Sequence, residues 1–276
     1  MSPQTPSVLS PTQYTTIETE YANGIAQVWL NRPDVRNAMN DVMFVELFDA
    51  IGAAIADDTV RVILLAGRGK AFCAGGDLTW MKTARSMSAE EARKDSVKLA
   101  MVLRQIYESP KPVVARVQGS AFAGGMGLVS ACDIAIASSD AKFCLSEVKL
   151  GLIPAMISPY VIKAMGEPNA RRYMLTAEVL DAAEAYRIGF VHDIAQPEDF
   201  DAKVNAILGH LVQGSPNALN ETKRLIRDVV TMPIGDQVMN ETAARIAKVR
   251  ATDDAQEGIA AFFEKRKPSW VPKLES

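Results

Sequence analysis

Histidine and cysteine are scarce in this chain, with 2 His and 3 Cys among 276 residues. They stand apart at Cys73, Cys132, Cys144, His192 and His210, with no spacing suited to a zinc site. An odd, unpatterned set of Cys suits a reducing compartment. Charge of one sign is not in excess either: Lys+Arg 30 against Asp+Glu 33 leaves a net charge of −3. That balance argues against a chain built mainly to hold nucleic acid or an anionic membrane. The longest charge-free stretch near the middle, residues 117–132, is rich in Gly, Ala and Ser, too short and too polar to span a bilayer. The first basic residue is Arg32, so the positive start of a signal peptide and the arginines of a transit peptide are missing. The ending Lys273-Leu274-Glu275-Ser276 is not a peroxisomal address. A soluble, cytoplasmic protein is expected, without a metal, and with carboxylates and backbone groups as its working parts.

What is present is an ordinary globular composition, 48% apolar and 23% charged. The length fits one large domain, or one domain with a lobe, and suffices for a core without disulfides. Residues 1–13, with Pro3, Pro6 and Pro11, read as a flexible lead-in. Residues 14–20 and 25–30 are β-prone and flank the hairpin signal Ala22-Asn23-Gly24. Phe44, Leu47, Phe48, Ile51 and Ile55 recur at helical spacing and predict a helix over 41–57. The run VRVILLA, 60–66, reads as a strand buried on both faces. A Gly- and Ala-rich loop follows over 67–77, and Ser88-Ala89-Glu90-Glu91 is a capping box opening a helix. Residues 113–117 are the next strand, 119–127 a second Gly-rich loop entering a short helix, and 133–137 and 142–146 two short strands. Beyond 158 the chain reads as mostly helical, with helix starts at Asp181 and at Ser215-Pro216 and a last strand near 191–194. The repeating unit is strand, strand, helix. The expected organisation is an α/β core over 14–214 and a C-terminal helical region over 215–276.

The two Gly-rich loops share a design. Ala71-Phe72-Cys73-Ala74-Gly75-Gly76-Asp77 and Gly119-Ser120-Ala121-Phe122-Ala123-Gly124-Gly125-Met126-Gly127 each leave a strand, pass through small residues and approach a helix. Small residues let a ligand approach the main chain, and a helix start leaves N–H groups unpaired. Two such N–H groups aimed at one point would stabilise an oxyanion, while the same loops would also serve close packing. The second loop misses the register of a dinucleotide fingerprint, and neither loop carries a phosphate-loop Lys.

These loops, together with Asn31-Arg32-Pro33, Asn37-Ala38-Met39 and Glu264-Lys265-Arg266, resemble the enoyl-CoA hydratase/isomerase (crotonase) superfamily over roughly residues 14–268. The resemblance implies a β-β-α spiral with a C-terminal helical region, assembly as homotrimers or dimers of trimers, and acyl-CoA thioester substrates with no separate cofactor. It implies Ala74 and Gly124 as the oxyanion-hole amides. It places Gly75, Gly76 and Asp77 along the CoA path, Arg36 and Lys265 at CoA phosphates, and the Ala38 backbone at the adenine.

The carboxylates separate the reactions. Hydratases of the superfamily commonly use two Glu. The position of the first is Gly127 here, and that of the second is Glu147, in Phe143-Cys144-Leu145-Ser146-Glu147. Its apolar company would disfavour the charged form and raise its pKa toward a working acid/base; an ion pair with Lys149 is the alternative. One carboxylate suffices for a 1,3 proton shift, which favours a Δ3,Δ2-enoyl-CoA isomerase. Residues 143–155, continuing through Ser158-Pro159, are similar to bacterial methylglutaconyl-CoA hydratases of leucine breakdown, which favours hydration. The distal carboxylate of that substrate needs a cationic cap, for which Lys82 and Arg85 are candidates. The leading expectation is a hydratase (a lyase) of 2-enoyl-CoA, with the isomerase second. A non-catalytic RNA- or CoA-binding protein is the rival of another class, and no basic, aromatic-interleaved stripe supports it. Cys73 and Cys144 read as packing residues. His192-Asp193, with no matching Ser motif, reads as a strand-edge histidine.

Overall fold

The computed structural model describes residues 14–271, so the lead-in expected over 1–13 lies outside the described residues. The chain opens with a hairpin of β1 (Ile17–Ala22) and β2 (Ile25–Leu30). Asn23 and Gly24 both take positive φ, 52° and 77°, the geometry that makes an Asn-Gly pair turn two strands tightly. Then come α1 (Asp41–Ala56), β3 (Val62–Gly67), α2 (Leu78–Ala84), α3 (Ala89–Glu108), β4 (Val113–Val117), β5 (Ser120–Phe122), α4 (Gly124–Ala131), β6 (Ile134–Ser138) and β7 (Lys142–Cys144). The remainder is α5 (Ser158–Thr176), β8 (Leu180–Asp181), α6 (Ala182–Arg187), β9 (Asp193–Ala195), α7 (Phe200–Gln213), α8 (Pro216–Val229), α9 (Asp236–Arg250) and α10 (Asp253–Phe263).

The main sheet runs β1-β2-β3-β4-β6-β9, antiparallel only between β1 and β2, and a small second sheet runs β5-β7-β8. β3 is buried along its whole length, as its unbroken apolar run predicts. One face packs on α1, α3, α4 and α5, through residues such as Met43, Leu47, Leu103 and Met126. The other is covered by Phe200, Val204 and Leu208 of α7, which meet Val62, Leu64, Val114 and Ile136. The predicted caps form: Ser88 and Glu91 close a capping box, Asp181 accepts from Glu184 N–H, and Ser215 accepts from Ala218 N–H. Three elements depart from the sequence reading, one of them the two-residue β8, which pairs with β7 where only a helix start is read. Residues 78–84 form α2, started by the Asp77 side chain, and residues 120–122 form β5 inside what reads as a loop.

The C-terminal helices dock at the end of the sheet where the parallel strands begin. Arg61, just before β3, donates to Gly214 O at 2.7 Å. Lys223 of α8 donates to Lys111 O at 3.0 Å and pairs with Asp133 at 2.7 Å, residues that precede β4 and β6. The loops that resemble a catalytic site leave the opposite ends of the same strands.

Candidate active site

Parallel pairing of β3 with β4 brings the chain segments that leave them out side by side. They are then stitched together. Cys73 N–H donates to Ser120 O and Phe122 N–H to Cys73 O, both at 2.9 Å. β5 continues the ladder onto β7, and Ala123 N–H donates to Cys144 O at 2.8 Å. Three separate stretches of sequence therefore meet: the first loop, the second loop, and the strand that leads into Glu147. Gly75 sits at φ +99°, and a Cβ there would stand 3.1 Å from Ala123 Cβ and 3.2 Å from Phe122 O. Only glycine takes that conformation without strain where the two loops touch.

The expected amide of Ala74 is not free: its N–H donates to Arg36 O at 2.9 Å. The free one lies two residues on. Met39 N–H donates to Gly75 O at 2.7 Å and Asp77 N–H to Met39 O at 2.8 Å. In such a bridge the groups of the intervening residue point to the other side, so the N–H of Gly76 faces away from Met39. Neither it nor the N–H of Gly124 has an acceptor among the described residues. Gly124 opens α4, and Ala123 before it is held at φ 48°, the turn that swings the chain from β5 into the helix. The free N–H of the first loop is thus that of Gly76 rather than Ala74, and that of the second loop is Gly124. The indole of Trp80 lies against Gly76, with Cζ3 3.3 Å from where a Cβ would stand.

Glu147 begins a short 3₁₀ turn, Glu147–Leu150. Its Oε2 is buried without a hydrogen-bond partner, and no ion pair reaches it among the described residues. Lys149, the alternative partner, instead donates from Nζ to Ala177 O at 2.9 Å. Burial pushes the Glu147 carboxyl above its ordinary value, offset only in part by its own backbone N–H. At Gly127 no carboxylate stands, and the adjoining space is taken by Ile157 and Leu103.

The other expected residues divide. Asp77 caps α2 by accepting from Thr79 and Trp80 N–H at 2.7 and 3.2 Å, and pairs with Arg32 at 2.8 Å. Burial works against its charge, but Arg32 and the two N–H groups outweigh it and hold the carboxyl below the usual range. Its role in the structure is to fix the loop. Arg36 is exposed, on the same loop side, while Ala38 is buried, its carbonyl accepting from Arg32 Nη1 at 2.6 Å and its N–H donating to Val35 O at 3.1 Å. Lys265 follows α10, in the helical region that docks beside the starts of the parallel strands.

Asn37 is the residue whose part the motif alone does not reveal. It is fully buried, accepts from Arg32 N–H at 2.8 Å and donates to Arg68 O at 2.9 Å and Ala71 O at 2.8 Å, tying residues 32–38 to the first loop. Its positive φ, 56°, is a conformation Asn tolerates better than most side chains. Cys73 is inert: complete burial pushes its thiol up to about 12. His192 Nδ1 accepts from Ala135 N–H at 3.0 Å, a structural bond at the strand edge.

The enoyl-CoA hydratase/isomerase family matches residues 20–273. The crotonyl-CoA hydratase of Syntrophomonas wolfei is 35% identical over 262 residues, covering 94% of this chain and 99% of that protein. The trans-2-decenoyl-[acyl-carrier-protein] isomerase of Streptococcus mutans is 31% identical over 257 residues, covering 91% and 96%. Among solved structures, an enoyl-CoA hydratase from Shewanella pealeana superposes with a TM-score of 0.91 at 41% identity, covering 94% of this chain and 97% of that one. The β-β-α spiral is therefore the crotonase fold, and the chain belongs to the enoyl-CoA hydratase/isomerase family of enzymes.

Proposed function

We propose that this enzyme reversibly hydrates a 2-enoyl-CoA, with the N–H groups of Gly76 and Gly124 holding the thioester oxygen and Glu147 as the acid/base. The observation that carries the reading is the half-buried carboxyl of Glu147, its Oε2 without a partner, on a segment paired with the second loop, which is itself paired with the first. Its carboxylate takes a proton from water as the oxygen bonds to the β-carbon. The π electrons move onto the thioester oxygen, and the enolate is held by the two N–H groups. The carboxyl then gives its proton to the α-carbon, so one water is added and Glu147 is restored. A raised pKa suits a group that must be charged in one half-step and protonated in the next. No step calls for a cofactor beyond the coenzyme A of the substrate.

The acyl group we favour is of the methylglutaconyl type, on the similarity of residues 143–159. Lys82 and Arg85 are exposed and form no ion pair among the described residues, which leaves them available to a distal carboxylate. Assembly as a trimer or dimer of trimers is supported by the apolar residues left uncovered on the C-terminal helices, among them Ile226, Val230, Met239, Phe262 and Phe263. The free thiols support a cytoplasmic location. The missing carboxylate at Gly127 favours the second reading, a Δ3,Δ2-enoyl-CoA isomerase. Loss of conjugated-enoyl absorbance from methylglutaconyl- or crotonyl-CoA is the expected result; gain of that absorbance from a 3-enoyl-CoA, with no hydration, would replace the first reading by the second.

A further inference from the structure

Gly127 and Ile157 compete for one space. A Cβ at residue 127 would overlap Ile157 Cγ2, stand 2.9 Å from Ile157 Cβ, and lie 3.6 Å from Leu103 Cδ2. Turning Ile157 about χ1 does not relieve this, because its Cβ is itself too close. Backbone movement is resisted as well. Ile157 is 2% exposed, and its carbonyl accepts from Tyr160 N–H at 3.1 Å and Val161 N–H at 3.0 Å, which fixes it at the start of α5. Gly127 lies one turn beyond Gly124, so both occupy one face of α4. The nearest side chains on that face are apolar: a Cβ at Gly124 would meet Met39 Cε and Leu99 Cδ2.

We propose that Ile157 is the positioning residue that commits this enzyme to one carboxylate. It fills the volume beside α4 in which a side chain from residue 127 would stand, keeps that side dry, and leaves every proton transfer to Glu147. The inference rests on the reading of Glu147 given above. It also explains why the Gly127 gap is not merely a lost residue: the chain has filled it, so a carboxylate does not return by one substitution. An apolar wall there serves the enolate as well, because water admitted on that side would offer a competing proton donor.

The test uses Gly127→Glu, Ile157→Ala and the double variant, each read by thermal melting and by kcat/KM against pH. Gly127→Glu alone is expected to melt far below wild type or to accumulate unfolded. The double variant is expected to recover most of that loss, a coupling that requires no substrate. Wild type is expected to show one carboxyl ionisation in its free-enzyme profile, and the double variant two. Ile157→Ala alone admits water and is expected to move the single ionisation to lower pH, a shift that a purely structural role would not give. That single variant decides the matter if the double variant fails to fold. Gly127→Glu melting like wild type, two carboxyl ionisations in wild type, or an Ile157→Ala profile identical to wild type would each overturn the proposal. If wild type turns over no enoyl-CoA at all, the reading of the reaction fails, while the melting coupling still reports on the packing.

Discussion

Replacing Glu147 by Gln keeps the size and shape of the side chain and removes its charge and its proton, so it isolates the acid/base step. Positioned acid/base groups are worth about 10²–10⁴ in rate. Here one carboxyl both activates water and protonates the α-carbon, so the loss is expected at the upper end, about 10⁴ in kcat. That corresponds to a barrier increase of about 5 kcal/mol, at roughly 1.4 kcal/mol per tenfold. KM should stay within a few-fold, because the backbone amides and the CoA contacts are untouched. The same substitution has a second consequence, of opposite sign. The folded carboxyl titrates above its ordinary value of 4.5 because it is buried. The native state therefore binds its proton before the unfolded chain does, and stability falls as pH rises through the raised value, then levels off. Gln carries no such cost. The variant is expected to melt at or above wild type at neutral pH and to lose that advantage below about pH 4.5. Wild-type kcat should in turn rise with pH through the raised ionisation, since water activation needs the charged form. Initial rates from enoyl absorbance and calorimetry over pH 4–8 read both effects. A kcat within about tenfold of wild type would refute the assignment. A variant less stable than wild type at neutral pH would show that a partner holds the carboxylate.

Removing the Gly76 N–H by Gly76→Pro is expected to cost about 10²–10³ in kcat, as for other oxyanion donors. Gly76→Ala keeps the N–H and should retain most activity; a folded, fully active proline variant would return the role to another amide. Lys223→Met leaves the half-buried Asp133 without its cation, held by Val113 N–H alone, and is expected to cost about 1.5–3 kcal/mol in urea unfolding, with kcat per folded enzyme unchanged. A loss below about 1 kcal/mol would mean that the pair does not anchor α8. Iodoacetamide at pH 8 should neither label Cys73 nor inactivate the native enzyme, and Cys73→Ala should remain active; rapid inactivation traced to Cys73 would contradict its burial.

Much of this was legible in the chain because the signals are local. Asn-Gly turns, side-chain caps and the fully buried run of β3 each need only a few neighbouring residues, and each formed as read. Apart from α2, which its own Asp77 starts, the misreadings involve distant partners. β5 lies in a Gly- and Ala-rich stretch with little strand propensity, and exists because Cys73 and β7 pair with it on its two sides. Ala74 and Gly76 are both small and both lie in the short stretch before Asp77. Which of them has a free N–H is settled by Arg36 and Met39, whose carbonyls and N–H groups take up the alternate positions. Asn37 likewise shows its part only when residues 68 and 71 arrive beside it.

The parallel strands separate the two ends of this fold. All the loops that carry chemistry leave the carboxyl ends of β3, β4 and β7, where parallel pairing gathers them. The helical region is anchored at the other end, through Arg61, Lys111 and Asp133. Lys265 follows α10 in that region. On the proposed assembly, a contact between Lys265 and a CoA phosphate would come from a second copy, seated so that the C-terminal helices of one chain approach the loops of the next. The uncovered apolar side chains of α8 and α10 supply a reason for such seating. The same arrangement would bury those residues and complete the substrate path, which ties the stability of the assembly to its activity.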